Sequence, residues 1–355
     1  MGTPALVDDP VLQEDLERIA DDNSIDWTLL RGKSVLVTGS TGLIGGVLVR
    51  ALASANARRG LGVRIVACYR DEAKAAAIFG KAASFGVETV KWDVRSPAVM
   101  EGHVDFIVHA AAVTASRTMV ERPVETITTA VDGTRNVLEL ARRENAAVVY
   151  LSSMEVYGAS CSEDVLDEHS FGLVDPLVVR SSYPESKRLC EALCVAAASE
   201  WNLDVKIARL VQTVGAGIPP DDSRVFAAFV RNVLEGRDIV LRTDGSSARC
   251  YCYTADAVTG LLTVLLKGRP GEAYNIGNDA TYASIREVAD LLVKMAEGSG
   301  SRVVFDMPQA SLSGGGCYAP KSRLRVSSAK VRALGWSPKT DLAGILTRLM
   351  RSMGG

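Results

Sequence analysis

The sequence predicts an α/β protein: a doubly wound parallel sheet of Rossmann type with a smaller, partly interleaved C-terminal lobe. Three observations carry this expectation. Short β-rich apolar runs alternate with helical stretches along most of the chain, the pattern of helices laid on both faces of a parallel sheet. The first run passes at once into a glycine-rich turn and a helical segment, an order that aims a helix N-terminus at a phosphate group. The length, 355 residues, suits about two domains.

Taken in order, residues 1–31 form an acidic N-terminal extension. Leu12, Leu16 and Ile19, then Ile25, Trp27, Leu29 and Leu30, give a partly amphipathic stretch over 5–30, read as one helix packed on the neighbouring domain. A dinucleotide-binding domain is expected over 32–212, with 213–355 mainly a second lobe interleaved with it. Ser34-Val35-Leu36-Val37-Thr38 is the first strand, Gly39-Ser40-Thr41-Gly42-Leu43-Ile44-Gly45-Gly46 the turn, and the helix runs on through Ala53. Glycines three apart permit the tight turn and let backbone amides approach a pyrophosphate. Buried strands are then expected at 64–69, 87–92, 106–110, 148–151 and 205–210. After the first of these, Arg70 suits a ribose 2′-phosphate and Asp71 a 2′-hydroxyl, so NAD and NADP both remain open. Asp93, after the second, suits an acceptor for an adenine amino group or an ordinary turn residue.

Composition removes other classes. With 47% hydrophobic residues, and 40 basic against 42 acidic side chains for a formal charge of −2, the chain is neither disordered nor a general polyanion binder; no nucleic-acid partner is expected. The uncharged apolar stretch Ala257 to Leu266 is far short of the ~20 residues of a membrane span. Met1 to Ile19 is acidic, with no basic region ahead of an apolar core, so no secretory signal is expected and the location reads as cytoplasmic. Of seven cysteines, the close pairs Cys190/Cys194 and Cys250/Cys252 lack a second pair at metal-site spacing. They read as reduced thiols, and no metal site is expected.

Two further segments carry chemistry. Leu151-Ser152-Ser153-Met154-Glu155-Val156-Tyr157-Gly158 follows a strand, and Tyr183-Pro184-Glu185-Ser186-Lys187 opens a helical run through Ala198. Tyr183 and Lys187, four apart, share one helix face. A lysine ammonium beside a phenol lowers the phenol pKa, and a Ser153 hydroxyl can bond the same substrate oxygen; such a trio removes an alcohol proton as hydride leaves its carbon. Ser152 reads as a residue satisfying backbone groups, and Phe226, Phe229, Val230 and Val233 as lobe core.

In these pieces the chain resembles the extended short-chain dehydrogenase/reductase family, the nucleotide-sugar epimerases, dehydratases and decarboxylases. The matching segments are Thr38 to Gly45, His109-Ala110-Ala111-Ala112, Ser152 to Gly158, Tyr183 to Lys187, Tyr274-Asn275-Ile276-Gly277 and Leu334-Gly335-Trp336-Ser337-Pro338. The resemblance implies an enzyme that binds NAD (or NADP) and a nucleotide-diphosphate sugar, oxidises the sugar at C4, works on the 4-keto intermediate and usually returns the hydride. It implies catalytic roles for Ser153, Glu155, Tyr183 and Lys187. The implied cofactor contacts are Gly39, Thr41, Gly42, Leu43, Ile44, Gly45, Arg70, Asp93, Val94, Ala110 and Ala111, with Tyr183 and Lys187. A homodimer packed through the Tyr183–Ala198 helix and a helix over about Pro123–Arg142 is also implied.

Arg180-Ser181-Ser182-Tyr183 and Ser153-Met154-Glu155 look most like the UDP-glucuronate decarboxylases, as does Asp244-Gly245-Ser246-Ser247-Ala248-Arg249, whose arginine would meet the nucleotide diphosphate. Substrate contacts are therefore expected at Met154, Arg180, Gln212 and Arg249. Departures are Gln212 for the family's Asn, Gly215-Ala216-Gly217 for its Gly-Pro-Arg, and Asp132 ahead of Gly133-Thr134. Many 4,6-dehydratases carry an Asp where this chain has Met154, and a thioether donates no proton. Decarboxylation asks less, because a 4-keto glucuronic acid is a β-keto acid. Decarboxylase is the first expectation, 4-epimerase or 4,6-dehydratase the alternative, and a catalytically inactive cofactor sensor the rival from another class.

Overall fold

The computed structural model describes residues 5–159, 164–219, 222, 224–307 and 321–354. Its strands are β1 (Ser34–Thr38), β2 (Arg64–Tyr69), β3 (Val87–Lys91), β4 (Phe106–His109), β5 (Ala147–Ser153), β6 (Val165–Leu166), β7 (Val205–Leu210), β8 (Gln212–Val214), β9 (Ile239–Leu241), β10 (Ala248–Tyr253), β11 (Ala273–Ile276), β12 (Asn278–Ser284), β13 (Val303–Phe305) and β14 (Arg323–Val326). The helices are α1 (Pro10–Ala20), α2 (Leu43–Arg59), α3 (Glu72–Phe79), α4 (Ser116–Glu121), α5 (Pro123–Glu144), α6 (Ser182–Trp201), α7 (Val225–Leu234), α8 (Thr254–Lys267), α9 (Ile285–Met295), α10 (Ala329–Arg332) and α11 (Leu342–Gly354).

A seven-stranded parallel sheet in the order β11-β7-β5-β4-β1-β2-β3 forms the base. Strand order reverses beside β1, where open α/β sheets bind ligands at the carboxyl ends of their strands. Alternate residues of β1 enter different cores: Val35 and Val37 pack on one face and Leu36 on the other, as a period of two requires. Of the expected buried strands, β3 is the exception. It lies at the sheet edge, and only Val87 of its five residues is buried.

The smaller sheet runs β12-β10-β14-β6, with β8 added beside β10. The chain crosses between sheets in both directions: β11 joins the large sheet from beyond residue 212, and Val165–Leu166 of β6 pairs with β14 in the small one. Phe226, Phe229, Val230 and Val233 are buried on α7.

The extension is not one helix over 5–30. Asp9 caps α1 at its N-terminus, the helix stops after Ala20, and a single 3₁₀ turn follows at Trp27–Leu30. Asp21, Asp22, Asn23 and Ser24 intervene, residues whose short polar side chains favour turns, and Asp22 Oδ1 accepts from Ser24 N. α1 packs on α2, α8 and α11. Its buried face carries a carboxylate, Asp15, which is 1% exposed. Among the described residues, no helix is long and apolar enough to cross a membrane and no His/Cys/Asp/Glu cluster could hold a metal. Cys68, Cys190, Cys194, Cys250 and Cys252 are buried, unpaired thiols; Cys161 and Cys317 lie outside the described residues.

Candidate active site

The glycine turn closes over the end of β1. Gly39 has φ +64°, and a Cβ there would stand 2.7 Å from the Ala110 carbonyl and Ala111 N; a Cβ on Gly45 would stand 2.4 Å from the Gly39 carbonyl oxygen. Only hydrogen fits at either position. Gly42 N donates to Gly39 O at 3.0 Å, and Ser40 Oγ ties the turn to β2 through the Cys68 carbonyl at 2.7 Å. Gly42 is the N-cap of α2 and supplies no side chain, so the first amides of the helix, at Leu43 and Ile44, lack a side-chain cap. An anion is their natural partner. Thr41 and Gly42 stand at the surface of this cradle while Gly45 is buried.

Behind it, His109 is buried between two hydroxyls, Thr38 Oγ1 at 2.7 Å from Nδ1 and Thr134 Oγ1 at 3.3 Å from Nε2. Burial, with the nearby Lys187 charge, lowers its pKa to about 3, so the imidazole is neutral and shapes the pocket. At the end of β2, Arg70 is exposed, and Asp71 caps α3 by accepting from Lys74 N. Asp93 accepts from both the backbone and the guanidinium of Arg95, at 3.0 Å each, which is the turn-residue alternative. Val94 is buried against Gly133.

The second half is built from β5, the 3₁₀ turn Met154–Tyr157 and the start of α6. Ser153 Oγ caps the turn by accepting from Glu155 N at 3.2 Å, and the Ser153 hydroxyl stands near enough to Tyr183 to favour its charged form. Arg180 Nη2 meets the Glu155 carboxylate at 3.0 Å, with the arginine side chain 9% exposed and the glutamate 28%. Met154 is 4% exposed. Ser152 Oγ has no partner among the described residues, so the expected role in satisfying backbone groups is not seen.

Lys187 is buried one turn below Tyr183. Its ammonium donates to the Leu151 carbonyl at 2.6 Å and lies 4.7 Å from the Tyr150 ring centre and 5.8 Å from that of Tyr183. Burial dominates: it holds the Tyr183 pKa well above the usual value, the Glu155 charge adds to this, and Ser153 and Arg180 pull weakly the other way. The same burial lowers Lys187 to about 8. The ammonium lies beneath the ring and donates to a backbone carbonyl.

Gln212 and Arg249 come from the small sheet, on strands paired through Gln212 and Tyr251. Arg249 is half-buried, and its Nε is buried with no partner among the described residues, a donor suited to an anion. Sequence reasoning missed the charged pair Arg209–Glu191 behind the catalytic turn. An arginine inside an apolar strand, and a glutamate four residues after Lys187, were the available signals.

The fold and this cleft, in which Tyr183, Lys187 and Ser153 come together, define a dinucleotide-binding α/β enzyme. Residues 35–277 match the NAD dependent epimerase/dehydratase family, and the chain belongs to that family; its cofactor is NAD. Among relatives, UDP-glucuronic acid decarboxylase 3 of Arabidopsis thaliana is 32% identical over 256 residues, covering 72% of this chain and 71% of that protein. A dTDP-glucose 4,6-dehydratase from Streptomyces venezuelae, solved with NAD bound, is 28% identical with TM-score 0.72, covering 90% of this chain and 96% of that one. UDP-glucose 4-epimerase from Thermotoga maritima, solved with UDP-glucose, shares the fold at TM-score 0.76 and 21% identity, over 90% and 98% of the two chains. The residues present fit the dinucleotide: the cradle at Gly39 and Gly45 excludes side chains and leaves the N-terminus of α2 open to a pyrophosphate.

Proposed function

We propose that this chain is a UDP-glucuronate decarboxylase that works through a 4-keto intermediate. The observation that carries the reading is the Met154-Glu155 pair. A buried thioether stands where a dehydratase would need an acid, and the neighbouring carboxylate is held by Arg180 close enough to Tyr183 for its charge to act on the phenol. The name of the Arabidopsis relative supports the same substrate.

When bound, NAD takes the hydride from C4 of the sugar and returns it at the end. Gly39, Thr41, Gly42, Leu43, Ile44 and Gly45 would hold its pyrophosphate, with Ala110 and Ala111 close to Gly39; Asp93 and Val94 would serve the adenine, and Arg70 the ribose. Tyr183 Oη would receive the 4-hydroxyl proton as the phenolate, the form that the Lys187 ammonium and the positive charge of a bound nicotinamide would favour against the effect of burial, and Ser153 Oγ would bond the same oxygen. Lys187, beneath the ring, would also be placed to meet the cofactor's ribose. With C4 a ketone, the bond from C5 to the carboxylate breaks, carbon dioxide leaves, and the electron pair passes into the C4–C5 enolate. Met154 offers the departing carboxylate an apolar surface that disfavours its charge. Glu155 orients the water or manages the proton returned to C5. Arg180, Gln212 and Arg249 hold the nucleotide sugar, the guanidinium of Arg249 on its diphosphate.

The test is mass spectrometry of the product from UDP-glucuronate and NAD. Loss of carbon dioxide to a UDP-pentose is expected. An unchanged mass overturns the reading in favour of a 4-epimerase, and loss of water from a neutral hexose substrate in favour of a dehydratase. In that last case Met154→Asp raises the rate by supplying the missing acid; in a decarboxylase it hinders binding, because it sets a second carboxylate beside the substrate's own.

The enzyme is a homodimer in this proposal. Val124, Ile127 and Val131 on α5 and Leu189, Ala192 and Ala196 on α6 make exposed or half-exposed apolar stripes at helical spacing. Val137, Leu138 and Leu140 face the core and play no part in such a contact. Light scattering giving the monomer mass at micromolar concentration overturns it.

A further inference from the structure

The catalytic turn Met154–Tyr157 rests on a buried ionic pair that belongs to neither the cofactor cradle nor the substrate contacts. Arg209 on β7 grips the Glu191 carboxylate with two nitrogens, Nε at 2.9 Å and Nη2 at 2.7 Å, and each side chain is 11% exposed. Its third nitrogen, Nη1, donates to Tyr157 Oη at 3.1 Å and to the Glu168 carbonyl at 2.9 Å. Tyr157 Oη in turn donates to Asn275 Oδ1 at 2.6 Å. The guanidinium therefore joins three parts of the site: the turn that carries Glu155, the helix that carries Tyr183 and Lys187, and the strand end beneath both.

Glu191 lies on α6 one turn after Lys187, and Tyr157 lies two residues after Glu155. A planar fork that bonds a carboxylate at two points has little orientational freedom. We infer that Arg209 and Glu191 are positioning residues: through Tyr157 they fix the catalytic turn against α6 and so set the distance between the Glu155 carboxylate and the Tyr183 hydroxyl. This rests on the role of Glu155 proposed above. It also accounts for two motif pieces with no cofactor or substrate contact assigned, the tyrosine before Gly158 and the asparagine of Tyr274-Asn275-Ile276-Gly277.

The test compares Tyr157→Phe, Arg209→Lys and Arg209→Ala with Glu155→Gln. Each positioning variant is expected to lower kcat by about 10- to 100-fold, the range for reacting groups displaced by about an ångström, with KM for the nucleotide sugar unchanged. Reduced nicotinamide should accumulate during turnover, as in Glu155→Gln, because oxidation at C4 then outruns the later steps. A cavity of about 740 Å³ lined by Arg209 and Glu191 opens the pair to small solutes, so millimolar guanidinium should restore part of the Arg209→Ala rate. Folded variants at the parent rate, or variants that lose kcat, KM and NAD affinity together, overturn the inference. Where Arg209→Ala does not fold, Tyr157→Phe, which removes one hydroxyl and little volume, decides alone. A parent enzyme that leaves the carboxylate of UDP-glucuronate in place defeats only the decarboxylation reading. The positioning role is then judged by whether Tyr157→Phe still matches Glu155→Gln in nicotinamide reduction with UDP-glucose.

Discussion

Two clusters of buried charge show how this chain uses polar groups it has removed from water. In the cleft, among the described residues, the Lys187 ammonium donates to one backbone carbonyl and Arg180 Nε has no partner. Where α1 meets the small lobe, the charges are gathered around one ring. Tyr253 Oη donates to Asp15 Oδ2 at 2.5 Å and accepts from Arg348 Nε at 3.2 Å, while the guanidinium groups of Arg18 and Arg348 stand 5.5 and 5.7 Å from the ring centre. Arg348 also meets Asp15 at 2.9 Å, and Arg18 reaches Asp256 at 3.7 Å. The clamp joins three helices and a strand, with Asp15 Oδ1 and Arg18 Nη2 in ion-pair contact but without hydrogen-bond partners among the described residues. The Nε atoms of Arg180 and Arg249 leave the cleft donor capacity for a ligand. Burial raises the pKa of both Tyr183 and Tyr253, and the proposed chemistry uses only the one in the cleft.

The largest expected effect breaks the comparison on the cleft side. Tyr183→Phe removes the proton acceptor and almost no volume, so oxidation at C4 should fall by about 10²- to 10⁴-fold while NAD binding, followed by calorimetry, stays near that of the parent. Turnover within about tenfold of the parent would remove Tyr183 from the chemistry. On the clamp side the loss should appear in stability. Asp15→Ala strips a buried carboxylate from two half-buried guanidinium groups and a phenol, and should lower the unfolding free energy in denaturant by about 3 kcal/mol, with turnover per folded molecule unchanged. An equal loss of activity would mean that the clamp also serves the site.

The pH dependence of stability sharpens the contrast. Lys187 has a folded pKa of about 8 against an ordinary 10.5, so between these values the unfolded chain binds the extra proton. Stability therefore rises with pH across that window, and the burial penalty is present in full below it. The rise amounts to about 3 kcal/mol, and Lys187→Met should abolish it in thermal melts without nucleotide. An identical pH profile for variant and parent would show the ammonium to be better solvated than its burial implies. The smallest effect concerns the loop after β2. Asp71→Ala removes the N-cap of α3 and should cost about 1 kcal/mol; a large fall in NAD affinity as well would show that the same carboxylate also reaches the ribose.

Much of the large sheet is legible in the sequence. The strands expected at 64–69 and 205–210 are β2 and β7 to the residue, because β-branched and apolar runs between helical patterns depend on local periodicity. The helix ends are less legible. α2 continues six residues past Ala53, to a glycine at φ +59°, since nothing between Ser54 and Arg59 forbids a helix. The single-helix reading of the extension fails where four turn-forming residues outweigh the apolar spacing.

By itself the sequence determined what depends on near neighbours: the alternation of strand and helix, the cradle that only glycines permit, and the shared face of Tyr183 and Lys187, set by 3.6 residues per turn. Tertiary structure alone decided what joins distant segments. Glu155 meets Arg180, Arg209 meets Glu191 and Tyr157, and Asp15 meets Tyr253 across 238 positions. It also decided that the lysine bonds the Leu151 carbonyl beneath the ring. The physical reason is that local preference acts through a few bonds along the backbone. Which charges share a dry interior depends on how the whole chain closes around them, and the low dielectric there makes each pairing count.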